Sequence, residues 1–431
     1  MPIVWSISLC ICSVCLADWP HWRGESRDDK TAQKSGWDGK NWQVTDPVWN
    51  LEVGLGSAAP LVIDNRVIAF GWQGSGNRGQ DVLGCFELAS GKNVWEQKYD
   101  APLYGRNSVG DESLYSGPSS TPEYDAETGL LYSLSLDGEL RCWDFKNKGN
   151  PVWRVNLYDQ YKIERRPDVG RNTRRDYGYT TSPLVFGDWL LVEVGSHQAG
   201  NLVAFDKTSG KAVWGSECKD LAGHTGGPVL MKVEGVDCAA ILTLRNLVVM
   251  RLDAKNAGKT VGTYEWTTDF ANNIPTPAVQ ENSVIISTAY NHFATCRVDF
   301  SLQGGAKKKW EQPKLCTGVC SPLIDNGNVY WAWRGVHCLD FDTGELKWKG
   351  GNTNEAGSCV LTSDGRLIVW ATRGDLLLVE SAANSPDKYQ QLAAKKLLSQ
   401  TDAWPHVVVS DGCILCRDRG GTLLCLKINQ Q

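Results

Sequence analysis

Apolar and polar residues alternate in short runs through most of the chain. Leu190-Leu191-Val192-Glu193-Val194 and Leu202-Val203-Ala204-Phe205-Asp206 are two of them. A period of two marks a half-buried strand, and turn residues such as Gly187-Asp188 bound the runs. Seven runs end on tryptophan: Trp49, Trp95, Trp153, Trp214, Trp266, Trp310 and Trp348. They are separated by 46, 58, 61, 52, 44 and 38 residues. A repeat of that size, with one strand cluster per unit, predicts a toroidal β-propeller.

Each unit is built alike. It opens on a small or hydroxyl residue before proline, as in Ala59-Pro60, Thr121-Pro122, Ser182-Pro183, Gly227-Pro228, Thr276-Pro277 and Ser321-Pro322. Trp404-Pro405 opens the last unit, and Ser358-Cys359 replaces the motif in the one before it. Proline is tolerated at a strand's first residue because that amide need not join the ladder. Two further strands follow, then a Ser-Gly or Thr-Gly turn as at Ser209-Gly210, then the tryptophan strand. The expectation is an all-β, eight-bladed propeller of four-stranded antiparallel blades. First strands begin near residues 60, 122, 183, 228, 277, 322, 359 and 405. The last blade, Val407 to Ile428, runs out after three strands, so the strand at Trp49 is expected to complete it. That closure removes open sheet edges. The expected organisation is 1–17 as an export signal, 18–44 as an N-terminal extension and 45–431 as the propeller.

Bulk properties narrow the picture. The chain has 431 residues, 42% hydrophobic and 22% charged, with a net charge of −5. Such a balance gives no global attraction to nucleic acid or anionic lipid. Met1 to Ala17 carries no charged side chain, and Cys15-Leu16-Ala17 before Asp18 has the look of a cleavage site. The stretch is too short for a membrane span. Val14 and Ile11 precede Cys15 and Cys12, where a lipid anchor would need a small residue. A periplasmic or secreted protein is therefore expected. Cys85, Cys142, Cys338 and Cys425 fall in one slot of the repeat, two residues before an aspartate-like position. Ala204 and Leu378 fill that slot elsewhere. They read as packing thiols, because free cysteine behaves as a small hydrophobe. Cys413 and Cys416 face opposite sides of a strand, which argues against a metal site. Cys316 and Cys320 lie on a turn-rich connection, where a disulfide and two free thiols are both open readings.

The run Leu202 to Trp214, with Asp206, Ser209-Gly210-Lys211 and Val213-Trp214, resembles the pyrroloquinoline-quinone (PQQ)-type propeller repeat. Phe341-Asp342-Thr343-Gly344-Glu345-Leu346-Lys347-Trp348 is similar. That repeat is shared by quinoprotein alcohol dehydrogenases and the outer-membrane assembly propeller BamB. The resemblance spans residues 45 to 428. The start Trp19-Pro20-His21-Trp22-Arg23-Gly24 is similar to the mature start of secreted bacterial proteins of this class. The enzymes hold PQQ between a tryptophan and a disulfide of adjacent cysteines, over calcium with an aspartate base. This chain has no adjacent cysteine pair.

Connections between blades gather on one face of a propeller, where a site is expected. Two are long. One carries Tyr104, Arg106 and Tyr115. The other carries Arg165, Arg166, Arg171, Arg174, Arg175, Tyr177 and Tyr179. Guanidinium and phenol together suit a protein partner or an anionic ligand. A solvated loop with locally packed tyrosines is the plainer reading. Shorter connections bring His224 between glycines, Asn272 with Asn273 beside Asp269, and Trp404. His224 suits acid–base chemistry or an ordinary loop hydrogen bond; the asparagines suit calcium or ordinary turns. No nucleophile elbow, P-loop, dinucleotide fingerprint or His-Glu-x-x-His occurs. The expectation is a monomeric, non-enzymatic binding or assembly scaffold of the bacterial cell envelope, without cofactor. The alternative is a PQQ- and calcium-dependent oxidoreductase or a degenerate relative of one.

Overall fold

The computed structural model describes residues 18–429, apart from 76–77, 102–116, 171–172, 398 and 400. The apolar leader 1–17, and with it the expected export signal, lies outside the described residues. So do Tyr104, Arg106, Tyr115 and Arg171. Among the described residues no helix is long and apolar enough to cross a membrane.

Eight four-stranded antiparallel sheets make the ring. We number the blades in chain order and letter their strands A to D outward from the axis. Blade 1 begins at Leu61, blade 2 at Glu123, blade 3 at Leu184 and blade 4 at Val229. Blades 5, 6, 7 and 8 begin at Ala278, Leu323, Gly357 and Val408. Each A strand thus starts within a few residues of its proline or hydroxyl signal. The inner strands are buried on both faces, as in Leu190, Leu191, Val192 and Val194. Blade 8 takes its D strand, Trp49–Glu52, from the start of the chain. Trp49 pairs with Cys425, Asn50 with Leu424, Leu51 with Leu423 and Glu52 with Thr422. At the same seam the buried Arg417 donates to the carbonyls of Ala58, Phe70 and Gly54 at 2.6, 2.8 and 3.0 Å.

The tryptophan repeat is explained by docking between blades. The Trp49, Trp153, Trp310 and Trp348 indole N–H groups donate to the carbonyls of Leu88, Lys207, Phe341 and Ser385. Each acceptor lies in the next blade. The ring covers the glycine of that blade's C–D turn: a Cβ on Gly210 would sit 2.6 Å from Trp153. Directly across the ladder from the tryptophan lies the slot held by cysteine. Trp95 faces Cys85, Trp153 faces Cys142, Trp348 faces Cys338 and Trp49 faces Cys425. A small side chain there makes room for the indole. Burial pushes the Cys85 thiol up to about 12, so it stays protonated. The twelve described cysteines are all free. Cys316 and Cys320 are therefore not bonded to each other; the Cys320 sulfur instead accepts from the Ala332 amide at 3.2 Å.

Trp266 departs from the expected pattern. The D strand of blade 4 ends at Glu265, and its docking position, opposite Val249, is Gly262. A Cβ there would meet the Ala306 amide of blade 5 at 2.7 Å, so the neighbouring D strand occupies the space an indole fills elsewhere. Trp266 lies beyond the strand, buried, with its ring 3.9 Å from that of His292.

Residues 18–44 form turns and isolated bridges that run along the ring axis. Trp19 bridges Val62 of blade 1, and the Pro20 carbonyl accepts from the Tyr124 amide of blade 2. Arg23, fully buried, donates to Asp29 and to the carbonyls of Pro277 and Pro322, at the mouths of blades 5 and 6. Lys30 bridges Leu361 of blade 7, and Asp29 lies 3.3 Å from His406 at the entry to blade 8. One segment thus ties six blades together from inside.

Candidate functional site: a funnel at the ring axis

All eight blade entries, from the connection into the first strand, reach one cavity of about 100 Å³. Six of them contribute a hydroxyl: Ser57, Ser119, Ser182, Thr225, Ser321 and Ser358. The other two bring Asn272 with Ile274, and Trp404 with His406. Tyr177 and Tyr290 line the wall, and Trp22 of the axial segment reaches it from below. The Trp22 indole is fixed by a 2.9 Å hydrogen bond to Thr276 and an edge contact with His406.

The hydroxyls before proline now have a physical reason. Ser182 accepts from the Thr121 amide, Ser321 from the Thr276 amide and Ser358 from the Val407 amide, at 3.0, 3.0 and 2.9 Å. Thr121 does the same for Ala59. The inner rim is therefore a belt of hydroxyls, and four of them, Thr121, Ser182, Ser321 and Ser358, clasp a neighbouring blade. A hydroxyl that accepts one amide keeps its proton to donate elsewhere. Behind the belt, Glu193 is buried and accepts from Thr181, Thr225 and Asn201 at 2.5, 3.0 and 3.2 Å. Burial pushes its carboxyl upward, while the Thr181, Asn201 and Thr225 hydrogen bonds oppose the shift.

His224 is buried rather than exposed on its glycine loop. His224-Thr225 pairs in parallel with Asn272-Asn273, across two connections. The Tyr177 amide donates to Nε2 at 3.1 Å, which leaves Nδ1 to donate to Asn272 Oδ1 at 2.9 Å. Both ring nitrogens are committed. Asn273, fully buried, donates to the Thr243 and Trp266 carbonyls. The two asparagines are thus parts of a hydrogen-bonded frame.

The basic connection after blade 2 is a folded strap. A short helix, Leu157–Tyr161, is capped by Asn156, and Asp168–Gly170 pairs with Thr173–Arg174. Its arginines face partners within the strap or just beneath it. Arg166 pairs with Asp176, and Arg174 with Asp168 at 3.1 Å. Arg165 lies over the Tyr158 ring and donates to the Asp137 carbonyl. Arg175 is 1% exposed, donates to Tyr158 Oη at 3.0 Å and lies 4.8 Å from the Tyr179 ring. Tyr179 is itself 1% exposed and donates to the Val194 carbonyl. Arg175, Tyr179 and Asn273 are therefore internal supports, not contact residues. Tyr177, His224, Asn272 and Trp404 do converge on the funnel. Sequence reasoning missed Trp22, Tyr290, His406 and the hydroxyl belt. The recurring Ser/Thr-Pro signal was the available clue to the belt.

Among the described residues the funnel lining holds no Asp, Glu, Lys or Arg. No group of three His, Cys, Asp or Glu converges among them either. PQQ is a tricarboxylate, and with calcium it calls for cationic donors and hard oxygens. The described residues do not fit that cofactor.

The fold is shared with solved propellers. BamB from Moraxella catarrhalis matches with a TM-score of 0.59 and 12% identity, over 89% of this chain and 99% of that one. Quinohemoprotein alcohol dehydrogenase from Comamonas testosteroni matches with a TM-score of 0.66 and 12% identity, over 96% of this chain and 81% of that one. A computationally designed protein, Ika8, matches at 0.55 and 10% identity, over 89% and 100% of the two chains. At such identities the likeness shows the fold alone. No curated protein matches the chain. A family model described as outer membrane protein assembly factor BamB matches residues 79–350, well over half the chain. The repeat, the ring and that match agree: the chain belongs to the BamB-like family of PQQ-type propellers.

Proposed function

We propose that this chain is an exported, non-enzymatic propeller of the bacterial cell envelope, which docks an envelope protein across the face where the blades connect. The observation that carries the reading is the state of the funnel's two histidines. His224 has both nitrogens committed, and His406 donates to the Val407 carbonyl while its other nitrogen lies beside Asp29. General acid–base chemistry needs a group poised to exchange a proton with substrate, and these two are bound to the scaffold. Around the funnel the rim presents paired charges of both signs, including Arg334 with Glu355 and Arg373 with Asp402. Mixed, exposed pairs of this kind set the register of a protein partner. Membership of the BamB-like family supports an envelope role.

The test is photo-crosslinking in the native envelope. A crosslinker at Glu355 or Arg373 is expected to give one discrete protein adduct. The same group at Val213, exposed on the outer strand of blade 3, is expected to give none. The reading is abandoned if the rim gives no adduct and purified protein oxidises alcohols or sugars with a dye acceptor once PQQ and calcium are added.

A further inference from the structure

We infer that the central funnel binds an uncharged glycan, with one sugar unit seated among Trp22, Tyr290 and Trp404 and its hydroxyls read by the serine and threonine belt. The argument is one of chemical complementarity. A charged ligand entering this cavity would give up its hydration and meet no charged side chain among the described lining residues; Arg419, over the Trp404 ring, is paired with Asp402. A purely apolar ligand would leave the O–H groups of Ser182, Ser321 and Ser358 without partners. A neutral sugar meets both demands. Its C–H faces lie on aromatic rings, and its hydroxyls accept from, and donate to, fixed hydroxyls.

Two features show that the site is built beforehand. Three of the belt hydroxyls, Ser182, Ser321 and Ser358, are held by amides of adjacent blades, so their oxygens are already positioned. The floor is an indole anchored at its N–H by Thr276, which leaves the ring to stack rather than to hydrogen-bond. Prepaid positioning of this kind lowers the entropy cost of binding. The cavity, about 100 Å³ and open to solvent, has room for a single sugar unit of a longer chain. This site is separate from the proposed protein-docking rim, although Trp404 borders both.

The experiment is calorimetric titration of the full chain with a panel of neutral oligosaccharides of several linkages. Polyuronate and deacetylated chitosan oligomers of equal length serve as the charged comparison. At least one neutral oligosaccharide is expected to bind saturably, and the charged oligomers at least about tenfold more weakly. Trp404→Ala and Tyr290→Ala are each expected to weaken binding by about tenfold or more at unchanged thermal midpoint. Tyr290→Phe, which keeps the ring, and Val213→Ser, on the outer surface, are expected to bind as the parent does. The inference is overturned if no neutral member binds at millimolar concentration. It is also overturned if charged oligomers bind equally well, or if both alanine variants bind as the parent. A rim crosslink to protein without glycan binding sinks this inference alone. Glycan binding without a crosslink sinks the docking proposal alone.

Discussion

A single indole shows how this fold is paid for residue by residue. Trp153 needs a small neighbour across the ladder, Cys142, and a glycine in the next blade, Gly210. Gly210 has φ +69°, a conformation L side chains avoid, so Gly210→Ala meets both strain and the Trp153 ring. Its expected cost is about 1–3 kcal/mol, read as a lower urea midpoint with unchanged slope. His337 gives a pH dependence. It stacks on Trp331 at 4.8 Å, and burial, helped by Lys349, lowers its pKa to about 4 from 6.5. A depressed histidine stabilises the fold fully above its unfolded value and loses that contribution as pH falls toward the folded one. The midpoint should therefore drop as pH is lowered from 6.5 to about 4, and His337→Gln should flatten that part of the curve. The tryptophan positions were legible because local alternation exposes them. Trp266 was misread for the same reason: Tyr264-Glu265-Trp266 has the local pattern of a docking strand, and the crowding that selects Gly262 comes from blade 5.

At the scale of elements, strands announced themselves and connections did not. Strand starts carry a proline or hydroxyl signal that acts within a few residues. The strap from Leu157 to Thr181 looked like a basic surface because composition counts arginines and cannot see their partners. Asp176, Asp168, Asp137 and Tyr158 absorb them only once the segment folds. Arg175 is the expected linchpin of that folding. Arg175→Met removes its hydrogen bonds to Tyr158 and Ala222 and a positive charge near Glu193. A loss of about 2–4 kcal/mol is expected, with new proteolytic cleavage confined to 157–181. Cleavage elsewhere, or none, would contradict the view of the strap as a folded unit. The funnel was half legible. His224, Asn272, Tyr177 and Trp404 stand out as unusual residues in connections, whereas Trp22 arrives from a segment far away in sequence.

For the whole molecule, closure is made twice: by Trp49–Glu52 in the last sheet and by residues 18–35 along the axis. The first follows from the repeat, because the last blade runs out after three strands; the axial path of the extension has no periodicity and was not legible from it. Arg23→Met leaves Asp29 buried without its guanidinium and frees the carbonyls of Pro277 and Pro322. Breaking such a pair costs about 3–5 kcal/mol, and the whole transition should move as one because six blades share the segment. A separate early transition would show that the ring stands without it. The seam also orders biosynthesis. Trp49–Glu52 has no sheet to join until Thr422–Lys427 has been made. A product truncated before Val408 therefore lacks a whole blade and strands its own beginning, with two unsealed edges for proteases to find.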